Sequence, residues 1–205
     1  MPQKPRSDSR RAALREAARR EEQRRVRRRL ALWIGASAVA VAILITAGVL
    51  LSRPGVPVAQ PTSAVTYADQ SRGHAAGPVN YSLIPPVGGD HAEVGQNCGI
   101  YLEPVADENA VHSLEHGAIW VTYRPELPTD QVKVLQDSVR KLPYGLLSPY
   151  PGLPAPVVAS VWGVQIKLES ATDPELAIFL AKYADGTKAP EPKGGCSGGV
   201  GTPQR

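Results

Sequence analysis

The stretch Leu30–Leu51 constrains this chain more than any other, because it holds 22 consecutive residues without a charged side chain. About 20 apolar residues cross the hydrocarbon core of a bilayer. A single span must be helical, since only a helix satisfies its own backbone in lipid. The sequence therefore predicts one transmembrane helix at 30–51. A cleaved signal peptide is the alternative, but the run is long and no small-x-small cleavage site follows it, which favours an uncleaved anchor.

The charge of the chain differs on the two sides of this run. Residues 1–29 carry 12 Lys/Arg and 4 Asp/Glu, whereas the rest of the chain has a net charge of −4. A basic block before a span stays in the cytoplasm, so the C-terminal part is predicted to be extracytoplasmic at the cell membrane. The basic block also suits anionic lipid heads and contains the i,i+4 pair Glu21–Arg25. No aromatic residue or recognition motif accompanies the charge, so nucleic acid is not expected as a partner.

Composition divides the remaining residues into three parts. Residues 52–76 are rich in Pro and Ala and indicate a linker. Residues 77–195 are enough for one core. The Gly/Pro-rich tail at 196–205 is predicted to be disordered apart from Cys196.

Local patterns within 77–195 predict an α+β domain with one mixed sheet. Asn109 suits the N-cap of a short helix and Gly117 its C′ position. The prolines from Pro143 to Pro156 indicate a long loop. The predicted strands are 99–103, 118–123, 157–162 and 164–168, and the predicted helices are 110–116, 129–142 and 173–183. The last five elements follow the order of the second half of a thioredoxin-like fold.

The two cysteines, Cys98 and Cys196, both fall on the predicted outer side, where thiols oxidise. One disulfide is the expectation, and closing a loop of nearly 100 residues contributes about 4.7 kcal/mol in the chain-entropy model. The competing interpretation makes Cys98 a thiolate metal ligand.

All four histidines lie between His74 and His116. His112 and His116 are four residues apart, so on a helix they share one face with Glu115 close by. His91, on a Pro- and Gly-rich loop that presents it, is the candidate third ligand. Imidazole with carboxylate suits Zn or Cu(II). The sequence thus predicts a metal site from His91, His112, His116 and Glu115, which Asp90 or His74 could complete.

Two other interpretations of this cluster stay open. In the first, the histidines form a hydrogen-bonded network that holds the loop before His91 against the helix. In the second, H-x-x-E-H is the inverted zinc-protease signature, with Glu115 as general base and Glu175 as the third ligand.

No other catalytic template is present, and no catalytic residue is assigned. Ser113 follows His112 directly, and adjacent side chains do not face each other on a helix. The chain has no G-x-S-x-G elbow, P-loop or dinucleotide fingerprint. Tyr144 and Tyr150 in the proline loop are candidates for a protein-partner surface.

Several strings resemble a family of domains of unknown function catalogued under the number 3105, found largely in actinobacterial membrane-anchored proteins. They are PPVGGDH at 85–91, NCGIY at 97–101, NAVHSLEHG at 109–117 and YRP at 123–125. The family pattern often looks like P-P-T-S-G-P-H where this chain has Val87, Gly88 and Asp90, and it often has a tryptophan near Gly95. The resemblance implies an anchor, the cell envelope and the location of the site, and no activity.

Overall fold

A computed structural model describes residues 59–192 and 194–204, together with Arg20, Glu21, Arg24, Arg25 and Arg27. The chain divides into two compact units, Met1–Val56 and Pro57–Arg205. In the first unit the five described residues are helical, and Arg25 pairs with Glu21 at 2.8 Å, as the spacing predicts. The predicted span at Leu30–Leu51 lies outside the described residues. Among those that are described, no helix has the length and apolar character needed to cross a membrane.

The second unit is an α+β domain built on one mixed sheet, which confirms the predicted fold class. In chain order its described elements are β1 (Val65–Thr66), β2 (Gly99–Ile100), α1 (Asp107–Glu115), β3 (Ile119–Tyr123), α2 (Thr129–Val139), β4 (Gly145–Pro149), β5 (Val157–Val161), β6 (Val164–Leu168) and α3 (Pro174–Tyr183). The strand order is β1-β6-β5-β3-β4-β2. Strands β2, β3 and β4 run parallel, while β3, β5, β6 and β1 pair antiparallel along the sheet.

Strand β3 lies at the centre of the sheet, and its side chains contribute to two apolar clusters. Because successive side chains of a strand point to opposite faces, Ile119, Val121 and Tyr123 contribute to the larger cluster, into which α2 and α3 pack. Trp120 contributes to the smaller cluster with the apolar face of α1. All five residues of β3 are buried. The strand therefore carries apolar side chains on both faces, as expected for a strand that is covered on both faces.

Strand β4 corrects the prediction of a long loop at Pro143–Pro156. Its buried residues pair with β3 and β2, and Leu146 and Leu147 enter the two clusters. Pro149 is tolerated because it ends the strand, where it removes at most one backbone donor. This extra strand interrupts the strand–helix–strand–strand–helix order on which the thioredoxin-like analogy was based.

The folded unit also includes residues that the sequence assigned to a linker and a disordered tail. Strand β1 lies within 52–76. At the other end, Asn97 N–H donates to Val200 O at 2.9 Å, and Gln204 N–H donates to Ile100 O at 2.8 Å. These backbone pairings hold the tail against β2 and the residues just before it.

The short helix α1 begins three residues earlier than predicted. Its N-cap is Ala106, which makes no side-chain capping bond. Asn109 lies inside the helix and donates through Nδ2 to Val94 O at 2.6 Å. Gly117 occupies the C′ position with φ +99°, as predicted. Helix α3 begins after Asp173, whose side chain accepts from Glu175 N–H at 2.9 Å.

Candidate metal centre

Helix α1 and its C-cap residue, His116, carry three of the predicted site residues on one side. Its apolar residues Ala110, Val111 and Leu114 pack into the smaller cluster. This orientation turns His112, Glu115 and His116 toward the segment 91–96 and the C-terminal residues.

The segment 91–96 is fixed along α1 by hydrogen bonds. Gln96 N–H donates to Asn109 O at 3.0 Å. Ser113 Oγ donates to Gln96 O at 2.7 Å, which commits this hydroxyl to a structural role. The segment thereby brings His91 beside the polar side of α1.

His91 lies on a loop, as predicted, and its side chain is completely buried. The loop before it is anchored to the sheet, since Gln165 Nε2 donates to Pro85 O at 2.9 Å and Gly163 N–H donates to Val87 O at 2.7 Å. The ring also lies edge-on to Trp162 at a centroid distance of 5.9 Å.

The hydrogen bonds of His91 determine what lies between it and Glu115. Nδ1 lies 2.8 Å from Gly89 O, which only accepts, so Nδ1 carries a hydrogen. Nε2 lies 3.0 Å from Oε2 of Glu115, which is also buried. If the imidazole were neutral and Glu115 were ionised, the lone pair of His91 Nε2 would point directly at a lone pair of Glu115 Oε2, which is repulsive. This contact requires either a proton or a cation between the two atoms.

His74 belongs to the predicted linker, and its ring lies beside those of His91 and His112. Ala75 N–H donates to His91 O at 2.7 Å, and His91 N–H donates to Gly73 O at 2.9 Å. The His74 ring lies 5.2 Å from that of His91 and stacks 5.8 Å from that of His112. Asp90 is directed elsewhere, with Oδ1 accepting from Gly73 N–H at 3.0 Å.

The rings of His112 and His116 are adjacent, as their spacing on α1 predicts. His112 Nδ1 lies 2.8 Å from Ala92 O and carries a hydrogen, so its Nε2 has the lone pair. His116 Nε2 lies 2.9 Å away and must donate, which leaves a lone pair on His116 Nδ1. Desolvation by burial lowers the pKa of His112 below its ordinary value, against the hydrogen bond to Ala92, and nearby His116 and His91 lower it further. The neutral form that binds metals is thus favoured.

Two groups of ligand atoms converge among the described residues. Atoms of His74, His91, His112 and Glu115 all lie within 4.8 Å of one another, and so do atoms of Glu115, His116 and Glu191. His116 therefore belongs to the second group, and His74 takes its place in the first. No local sequence pattern indicates Glu191, because its position depends on a backbone hydrogen bond from Glu191 N–H to Glu115 O at 3.1 Å.

The geometry does not match the inverted zinc-protease arrangement. The 2.9 Å between the Nε2 atoms of His112 and His116 is a hydrogen-bond distance. Among the described residues, no group of converging ligand atoms contains both histidines. Glu175, the candidate third ligand, instead accepts through Oε2 from Thr62 N–H at 2.6 Å.

The predicted disulfide joins Cys98 and Cys196, whose Cα atoms are 5.1 Å apart. Cys98 is therefore not a thiolate ligand. The glycine-rich residues 194–199, which include Cys196, line an open cleft of about 290 Å³ together with His112 and His116.

Comparison with known proteins gives a family without an assigned activity. No curated protein and no solved structure matches the chain. The family model described as "Protein of unknown function (DUF3105)" matches residues 74–198, which include every residue of both ligand groups and both cysteines. The chain belongs to this DUF3105 family.

Proposed function

We propose that this chain binds a transition metal ion, Zn or Cu, through His74, His91, His112 and Glu115. We further propose that the domain is anchored to the cell membrane and faces the outer side, where it handles or senses the metal. In this proposal the domain binds the metal ion and does not catalyse a reaction.

The observation that carries the proposal is the buried contact between His91 Nε2 and Glu115 Oε2 at 3.0 Å. Gly89 O fixes the hydrogen on the other ring nitrogen, so the contact needs a proton or a cation. A metal ion satisfies both atoms, because imidazole nitrogen and carboxylate oxygen are its preferred ligands in this combination.

The surrounding residues support a metal more specifically than a proton. His112 also comes within reach, and its ring is oriented by the Ala92 carbonyl just as His91 is oriented by Gly89. Such outer hydrogen bonds fix the tautomer that directs Nε2 toward a metal. An ion on His112 would replace the hydrogen bond from His116. The exposed His74 supplies a fourth ligand at the solvent side.

The rival function is a structural one, in which the histidines only hold the loop 85–91 against α1. The same hydrogen bonds from His91 and His112 to backbone carbonyls favour it. In that case a proton occupies the His91–Glu115 contact, and added metal does not change the protein.

Metal analysis of the purified full-length protein in detergent separates these two functions. After loading with Zn²⁺ or Cu²⁺ and desalting, the wild type should retain metal, and Co²⁺ should give the visible absorption of a tetrahedral site. The variants His74→Ala and Glu115→Gln should lose or weaken this binding. Glu108→Gln is the matched control, since Glu108 lies on the same helix outside both ligand groups and should bind as the wild type does. If the wild type retains no metal after desalting and its melting temperature is unchanged by Zn²⁺ and Cu²⁺, metal binding is contradicted and the structural function is supported.

The proposed location is supported by the sequence around Leu30–Leu51 and by the disulfide, since disulfides persist in oxidising compartments. Protease added to intact spheroplasts should cleave a C-terminal epitope tag and spare an N-terminal one. Cleavage of the N-terminal tag alone would reverse the proposed orientation.

A further inference from the structure

We infer that a second cation position lies beside the proposed centre, formed by His116 Nδ1, Glu191 and Glu115. The ligand atoms of these three residues also lie within 4.8 Å of one another. This inference rests on the proposed function only in that Glu115 belongs to both groups. The ligand class is a divalent transition metal ion, because the group combines one imidazole with two carboxylates.

The lone pair on His116 Nδ1 is the first argument. Nε2 of this ring is engaged with His112, whereas Nδ1 is shielded from solvent and has no hydrogen-bond partner among the described residues. The carboxylate oxygen Oε2 of Glu191 lies 4.0 Å from Nδ1. This distance is too long for a hydrogen bond. Two tetrahedral ligands of zinc lie about 3.3–3.6 Å apart, so a small rotation of the exposed Glu191 side chain brings both atoms onto one ion.

The backbone holds Glu191 in this position. Glu191 N–H donates to Glu115 O at 3.1 Å, and Gly194 N–H donates to Glu191 O at 3.3 Å. Gly194 lies so close to the His116 ring that a Cβ atom there would overlap Nδ1. These backbone contacts of Glu191 and Gly194 thus hold the Glu191 carboxylate beside the His116 ring.

Charge is the third argument. Within the described part of the chain, the ion pairs of Glu115 and Glu191 are with histidines only. Two carboxylates beside a neutral imidazole attract a cation strongly. The attraction would be weaker if a lysine or arginine neutralised either carboxylate.

Each position has one ligand at the protein surface. The Glu191 side chain is 57% exposed, and His74 of the proposed centre is exposed as well. The buried Glu115 belongs to both ligand groups and connects the two positions.

Zinc titration of the full-length protein in detergent, against a chromophoric chelator, tests this inference. The wild type should bind two ions, Glu191→Gln one, and the double variant His91→Gln/Glu191→Gln none. Glu93→Gln is the control, because Glu93 is an exposed carboxylate that lines the same cleft outside the ligand group, and it should bind two.

Each other outcome contradicts the second position in a recognisable way. One ion in the wild type with no change in Glu191→Gln overturns the second position and leaves the proposed centre intact. Two ions in Glu191→Gln would show that this carboxylate is no ligand. No ion in the wild type overturns both positions.

Discussion

The replacement His91→Ala in metal-free protein should cost a large part of the stability of the domain. Removing one partner of a buried ionic pair costs about 3–5 kcal/mol, because the other group stays buried without compensation. Here that group is Glu115, whose side chain is only 6% exposed. The carbonyl of Gly89 also loses its donor, which adds about 1 kcal/mol. We therefore expect a loss of about 4–6 kcal/mol, against about 5–15 kcal/mol for a typical native domain.

Urea denaturation in EDTA at pH 7.5 measures this loss, with tryptophan fluorescence as the signal because Trp162 lies against the His91 ring. The variant Glu115→Gln should cost far less, about 1 kcal/mol, since an amide N–H can donate to His91 Nε2. His74→Ala is the exposed control and should stay within about 0.5 kcal/mol of the wild type. If His91→Ala costs no more than His74→Ala, the buried contact does not exist as described.

Three further results are expected. Replacing Cys98 and Cys196 together with alanine should lower the free energy of unfolding by about 4.7 kcal/mol, from the separation of 98 residues; urea denaturation checks this, and a change under about 1 kcal/mol would contradict it. Because desolvation lowers the pKa of His112, the folded state binds fewer protons there than the unfolded chain. In EDTA the free energy of unfolding should thus rise as the pH increases from that lowered pKa to about 6.5. In His112→Gln the free energy of unfolding should rise less with pH. Urea denaturation at several pH values measures this, and the same pH dependence in the variant and the wild type would contradict the lowered pKa of His112. Gly117→Ala should cost about 1–3 kcal/mol and lower the melting temperature, because the residue has φ +99° and its new Cβ would lie 3.1 Å from Gly186 Cα; an unaltered melting temperature would argue against this backbone geometry.

Elements with a strong local pattern could be predicted from the sequence. The apolar stripe that contains Leu135 and Val139 packs into the larger cluster, as its helical spacing indicates. Strand β6 has the predicted bounds, Val164–Leu168. Strand β4 could not be found in this way, because nearby prolines dominate its local pattern and its formation depends on pairing with two distant strands.

The candidate site shows the same division between local and non-local causes. The adjacency of His112 and His116 follows from helical geometry, so the sequence predicts it. The burial of His91 cannot be predicted from the sequence, because it depends on hydrogen bonds that join the preceding loop to β6 and to the turn before it. Glu191 could not be predicted for the same reason, since its backbone hydrogen bond to Glu115 O places it at the end of α1.

The most direct test of the proposed centre is anomalous diffraction at the zinc edge from crystals of the protein soaked in Zn²⁺. We predict a peak about 2.0–2.2 Å from both His91 Nε2 and a Glu115 carboxylate oxygen, separate from any peak at His116 and Glu191. His74 and His112 should complete the coordination. A zinc-soaked crystal with His91 still hydrogen-bonded to Glu115 and no peak between them would contradict the proposed centre.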